Sequence, residues 1–210
     1  MDIARQLAAM ADLQAGLNDN VHPNWRSQGH EYYRAIWVEC AELLDHYGWK
    51  WWKHQQTDLA QVKLEVVDIW HFGLSDLIRA GRIDAQRVDS SIIDAFDRPP
   101  PGTDLRACVE TLAGATLASR HFPIDAFVDV LYALPMTFGE LYRIYVGKNV
   151  LNHFRQAHGY QAGIYEKTWR GREDNEHLFE IVSSLDHASA TFSRDLYAEL
   201  EVRYVASTRS

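Results

Sequence analysis

Four carboxylates define the chemistry open to this sequence. Glu39 and Glu42 stand three residues apart, and Glu65 and Asp68 repeat that spacing. On a helix, residues at this spacing project about 60° apart around the axis, so both members of a pair can face one neighbour. If the helices that carry the two pairs run antiparallel, four carboxylates converge on one small volume. Like charges gathered beside apolar packing raise one another's pKa, and a hard divalent cation resolves the conflict. Oxygen-only ligands suit Mg2+ or Mn2+ better than zinc, and Mg2+ completes its octahedron with waters and phosphate oxygens. The chemistry expected is therefore on a di- or triphosphate. An E-x-x-E pair is also the ordinary pattern of a solvated helix face. Against that reading stand the apolar flanks Ile36-Trp37-Val38 and Val66-Val67 and the recurrence of the spacing.

Asp68-x-x-His71 admits a second metal chemistry, because di-iron bundles project Glu-x-x-His motifs inward from two helices. A second such motif is required, and the matching position after Glu42 is Asp45. His71 can equally be a core histidine.

Positioning these groups requires helices. Leu59, Val62, Val66, Ile69, Gly73 and Leu77 follow one buried face, which predicts a helix over 58–78. Ile36, Cys40, Leu43 and Leu44 predict another over 31–47, ending before Gly48. Further patterns cover 3–17, 104–120, 124–146 and 187–206, while period-two alternation is nearly absent. The fold class expected is all-α, a multi-helix bundle in a single domain of 210 residues. Residues 82–103, with the run Pro99-Pro100-Pro101-Gly102, read as a linker or lid-like insertion. The stretch 159–173 reads as an ordered functional loop.

Composition narrows the partners. A net charge of −8 disfavours a nucleic-acid backbone. Cys40 and Cys108 lie far apart with no C-x-x-C partner, which argues against a disulfide framework or cysteine zinc site and fits a reducing cytoplasm. No apolar run approaches the roughly 20 residues of a membrane span, and the first residues lack a basic-then-apolar leader, so neither membrane insertion nor secretion is expected.

Taken in order, five segments resemble the dimeric all-α dUTPases. Residues 39–45 followed by Trp49-Lys50-Trp51-Trp52-Lys53 are similar to that family's first metal motif with its aromatic tail, and residues 65–72 to its second. Residues 13–18 resemble the segment whose Gln and Asn contact uracil. Residues 147–155 with Gly159-Tyr160 resemble the phosphate- and sugar-binding helix, and Tyr165-Glu166-Lys167 with Glu173-Asp174-Asn175 the last motif. The proline-rich middle of the chain matches no motif.

The resemblance implies hydrolysis of dUTP, and of dUDP, to dUMP by a homodimer that uses two or more Mg2+ ions, with Mn2+ an alternative. It implies metal binding and catalysis by Glu39, Glu42, Glu65 and Asp68. It implies substrate binding by Gln14, Asn18, Trp52, His71, Phe72, Lys148, Asn152, Arg155, Tyr160, Lys167 and Asn175. Each carries a physical rationale and a plain alternative. Gln14 and Asn18, four apart, offer amides that can read a pyrimidine edge or merely face solvent. Trp52 can stack on a base or be buried in a core or dimer contact. Phe72 can close a base pocket or pack in the core. Lys148, Asn152 and Arg155 share one helix face, suited to phosphate or to solvent, and Asn175 can serve as an N-cap. A dual dCTP/dUTP pyrophosphatase is the nearest alternative activity; a catalytically silent helical dimer that only binds nucleotide is the non-enzymatic one.

Overall fold

The computed structural model describes residues 3–100, 102–186, 189 and 191–208. Among them the chain forms nine α-helices and one short β-hairpin: α1 (Ile3–Val21), α2 (Tyr32–Tyr47), α3 (Leu59–Arg79), α4 (Ser90–Phe96), α5 (Leu105–Ser119), α6 (Ile124–Ala133), α7 (Phe138–Ala157), β1 (Thr168–Trp169), β2 (Arg172–Glu173), α8 (Asp174–Ser184) and α9 (Phe192–Thr208). The all-α class expected from the sequence is what forms. The chain divides into two compact units, Met1–Tyr142 and Arg143–Ser210.

In the first unit α3 is the central helix. Asp58 caps it, its carboxylate accepting from the backbone N–H groups of Ala60 and Gln61 at 3.1 and 3.2 Å, which satisfies two of the orphan donors of a helix start. The face predicted for α3 is buried at Val62, Val66, Ile69, Gly73 and Leu77, and the opposite side is buried too, at Leu64, Val67, Trp70 and Leu74. Such a helix is enclosed on most sides. α1, α2 and α6 pack against it, and α5 packs on α2 and α6. Trp70 stacks on Phe127 of α6, with ring centroids 5.1 Å apart and planes 19° from parallel. Gly73 admits the Phe122 ring so closely that a Cβ there would lie 2.7 Å from ring carbons.

Two stretches depart from the sequence expectations. The single helix predicted over 124–146 is two, α6 and α7, broken around Pro135. Proline lacks the N–H that a helix interior needs and biases the preceding residue away from helical geometry, while the apolar pattern runs on through Leu131, Leu134, Met136, Phe138 and Leu141. The stretch 82–103 holds α4, with Ile92, Ala95 and Phe96 buried. It is tied to α6 by Arg98, which bonds Asp125 and Asp129 at 2.7 Å each, and by Tyr132, whose hydroxyl donates to the Phe96 carbonyl at 2.6 Å.

In the second unit α8 and α9 pack together beside the hairpin, whose strands pair Thr168 with Glu173 and Trp169 with Arg172. Phe154, Trp169, Tyr165 and Tyr204 form its aromatic centre. The helix predicted over 187–206 is α9, which starts at Phe192; residues 187, 188 and 190 lie outside those described. α8 begins one residue ahead of Asn175. Its N-cap is Glu173, in a capping box with Glu176, so Asn175 sits inside the first turn rather than serving as the cap.

Candidate active site

The carboxylates depend on how α2 and α3 are joined. At one end of the pair, the Asp58 N–H donates to the His46 carbonyl at 3.0 Å. At the other, Arg79 donates to the His30 carbonyl at 2.6 Å and lies over the Tyr32 ring. The two helices are therefore antiparallel, as the short connection between them predicts. Their facing sides bring one oxygen each of Glu39, Glu42 and Glu65 within 4.8 Å of one another. The trio is graded in depth: Glu65 is buried, Glu39 half-buried and Glu42 exposed. Three oxygen donors that reach from packed interior to solvent fit a hard divalent cation that keeps waters of its own. His46 Nε2 lies 3.6 Å from Glu65. Asp68, half-buried, follows about one turn along α3 and stands outside the trio. Burial, and then Glu39, push the Cys40 thiol up to about 12, which keeps it protonated near neutral pH.

Further along α3 a polar cluster joins α1 to α3. Gln14 Nε2 donates to Asn18 Oδ1 at 3.0 Å and to Ser75 Oγ at 3.1 Å, and Asn18 Nδ2 donates to Ser75 Oγ at 2.9 Å. Ser75 passes its own hydrogen to the His71 carbonyl at 3.0 Å. His71 Nδ1 lies 2.7 Å from Gln14 Oε1, an acceptor, which makes Nδ1 the protonated nitrogen in this arrangement. Three of the substrate-binding residues named from the sequence, Gln14, Asn18 and His71, thus share one network. Gln14, His71 and Ser75 are its buried members, and Asn18 is half-buried. Phe72, half-buried, is the next residue on α3. Ser75 is the member that sequence reasoning missed. Its signal was its position, four residues after His71 and so on the same helix face.

Trp52 is placed elsewhere. It is 57% exposed on the α2–α3 loop, in edge-to-face contact with Trp49 and Trp51. Ser75 lies about 24 Å along α3 from Leu59, at 1.5 Å per residue, so the loop and the amide cluster occupy opposite ends of the hairpin.

The cations named from the sequence belong to the second unit, where an unforeseen acid organises them. Arg155 grips Asp174 with two bonds, Nε to Oδ2 at 2.9 Å and Nη2 to Oδ1 at 2.8 Å. Tyr165 donates its hydroxyl to the same carboxylate at 2.8 Å. Burial, and then the charge of Asp174, hold that hydroxyl well above the ordinary tyrosine range. Lys148 donates to Asn175 Oδ1 at 2.8 Å, and Arg155 Nη1 reaches Asn152 Oδ1 at 3.4 Å. Tyr160 lies under both Arg155 and Lys167, 5.9 and 5.5 Å from its ring centroid. All six residues assigned here from the sequence, Lys148, Asn152, Arg155, Tyr160, Lys167 and Asn175, therefore fall in one neighbourhood. Lys148 and Arg155 are buried in it rather than spread on a solvated basic face.

No helix among the described residues is long and apolar enough to cross a membrane. Compared with known families, residues 6–160 match the model of the family described as dUTPase. No curated protein matches the chain.

Proposed function

The chain belongs to the dUTPase family and hydrolyses dUTP, and we propose that it does so with divalent cations held by Glu39, Glu42, Glu65 and Asp68. The observation that carries this reading is the convergence of three of these carboxylates within 4.8 Å on the α2–α3 seam. Mg2+ is the cation proposed, in two or more copies, with Mn2+ able to replace it; bound there it supplies an acidified water and neutralises charge on the phosphate oxygens. A carboxylate of the α2 pair takes the water proton, and exposed Glu42 is the better placed to pass it to solvent.

Base recognition falls to Asn18 and Gln14, with Ser75 and His71 fixing which way their amides point. A fixed amide presents one donor and acceptor pattern, and a base that mismatches it leaves buried polar groups unsatisfied. Phe72 closes the base side. Lys148, Asn152, Arg155, Tyr160, Lys167 and Asn175 bind phosphate and sugar, with Asp174 holding the Arg155 fork in a set orientation. Hydrolysis of dUDP by the same residues, homodimeric assembly and a cytoplasmic site of action complete the proposal.

The test is pyrophosphate release from dUTP, dCTP, dTTP and dATP with Mg2+ and again with EDTA. Turnover of dUTP that EDTA abolishes supports the reading. Turnover that persists in EDTA removes the metal from it, and equal turnover of dCTP moves it to dual specificity.

A further inference from the structure

We propose that Tyr32, at the start of α2, is a further substrate-binding residue, its hydroxyl donating to a ring carbonyl of the pyrimidine that Gln14 and Asn18 read. The proposal rests on the functional reading above and adds to its base site a residue that none of the five motif segments contains.

The first argument is a count of donors. Tyr32 forms a side-chain hydrogen bond with Ser75. The Ser75 hydrogen is already given to the His71 carbonyl at 3.0 Å, so in this contact the phenol donates. Gln14 Nε2 and Asn18 Nδ2 donate to the same Ser75 oxygen, at 3.1 and 2.9 Å. A hydroxyl oxygen has two lone pairs, and here three donors compete for them. The two amides fill both by themselves, so the Tyr32 hydroxyl can turn to a ligand and leave no acceptor on Ser75 unmet. Burial raises its pKa above the ordinary tyrosine value, so at neutral pH the hydroxyl keeps the proton it would donate.

The second argument is construction. Tyr32 is half-buried, as Asn18 is, beside the buried Gln14, His71 and Ser75. The Arg79 guanidinium lies over its ring, 5.2 Å from the centroid, and His30 meets the ring edge to face at 6.1 Å. Arg79 is itself held, donating to the His30 carbonyl at 2.6 Å and to Asp76 Oδ1 at 2.5 Å. Asp76 is buried, and its other oxygen accepts from the Phe122 N–H at 2.9 Å. A buried carboxylate thus fixes a cation, and the cation a ring, behind one phenol. A group set in place before its ligand arrives binds it with little ordering cost.

The third argument is span. Glu39 follows Tyr32 by seven residues on α2, two helical turns, so the two share a face about 10 Å apart. That is the reach of a nucleotide from its pyrimidine ring to its inner phosphates. A base bound at Tyr32 and Asn18 therefore leaves the phosphate chain at the carboxylates.

The experiment uses the full chain and its Tyr32→Phe variant, which keeps the ring under Arg79. dUMP is titrated calorimetrically, and inorganic pyrophosphate is titrated as an inhibitor of dUTP turnover. We expect the dissociation constant of dUMP and the KM for dUTP each to rise about tenfold, the loss of one well-made hydrogen bond, with kcat within about twofold. The inhibition constant of pyrophosphate, which has no base, should stay within about twofold. The ligand-free variant should melt no lower than the wild type, because Ser75 keeps both its amide donors. An unchanged dUMP constant, or an equal rise for pyrophosphate, overturns the proposal. A variant that melts well below the wild type assigns the hydroxyl to the fold instead and overturns it too. A wild-type chain that releases no pyrophosphate from dUTP overturns the functional reading itself, before any variant is made.

Discussion

Two clusters, one in each unit, treat charge in opposite ways. The first gathers like charges, with Glu39, Glu42 and Glu65 within 4.8 Å of one another across the α2–α3 seam. The second pairs opposite charges, with Arg155 locked on Asp174 and Tyr165 on the same carboxylate. Gathering like charge has no structural benefit, because it opposes folding unless a cation arrives, and so it marks a binding function. Pairing opposite charges inside a unit fixes geometry whether or not a ligand is present. The acidic cluster is therefore expected to be dispensable for stability and indispensable for turnover, and the Arg155–Asp174 pair to matter for both.

Replacing Glu65, the buried member of the trio, is the strongest test of that contrast. Glu65→Gln should lower dUTP turnover by about 10³-fold or more, in line with loss of preorganised charge stabilisation at a reacting phosphate. Without metal, its melting temperature should equal or exceed that of the wild type, because one of three like charges is gone. Mg2+ should raise the wild-type melting temperature by mass action and fail to do so in the variant. A metal-free variant that melts well below the wild type would show that the trio is structural and would erase the contrast.

Asp174→Asn probes the other side. It leaves the Arg155 guanidinium buried with its partner's charge removed, a class of change that costs about 3–5 kcal/mol. Thermal or denaturant unfolding should show that loss with and without Mg2+, unlike the Glu65 variant. Replacing both Arg155 and Asp174 by apolar residues should restore much of the stability and none of the activity. Full recovery of turnover in the double variant would remove Arg155 from the phosphate-binding role proposed for it.

A third variant sharpens the picture within the first unit, where a neutral network lies on the same helix as the acids. Ser75→Ala removes the acceptor shared by Gln14 and Asn18 and frees both amides to turn. The preference for dUTP over dCTP should fall about tenfold, the worth of one well-made hydrogen bond, while metal-dependent stabilisation is kept. Preference unchanged in competition assays would place base selection elsewhere.

Much of this was legible in the sequence because α3 carries so much of the molecule. Its apolar period set the helix, and its E-x-x-D spacing pointed toward α2. The periodicity stated which residues share a face, yet gave no length scale across the hairpin. Hence it could not say that Asp68 follows the trio by about a turn of α3, or how far along the hairpin Trp52 lies from the amides. Pro135 was visible, but the apolar pattern continues across it and hid the break between α6 and α7. Asp174 stood within a motif already noted, and only folding brings it to Arg155, nineteen residues earlier in the chain. Ser75 is small and polar on a buried helix, a type that draws notice only when its neighbours across space are known.

The smallest effect expected lies at the surface of the second unit and checks that depth, rather than pairing itself, gives Arg155–Asp174 its weight. Glu180 accepts from Arg172 and from Arg203, each at 2.8 Å, joining β2 and α9 to α8. The bond from Arg172, and then that from Arg203, lower its carboxyl from an ordinary value of 4.5 to about 2. A depressed carboxyl contributes stability above its unfolded-state pKa and loses it as pH falls through the folded value, so this contribution is full near neutrality and fades between about 4.5 and 2. The side chain is 48% exposed, and solvent screening reduces such a pair to a few tenths of a kcal/mol. Glu180→Gln should therefore melt slightly below the wild type at pH 7. That gap should close in 1 M salt and on acidification, whereas the deficit of Asp174→Asn persists in salt. If salt closed both gaps alike, the buried pair would be no different in kind from the exposed one, and charge pairing in the second unit would have no special claim on its geometry.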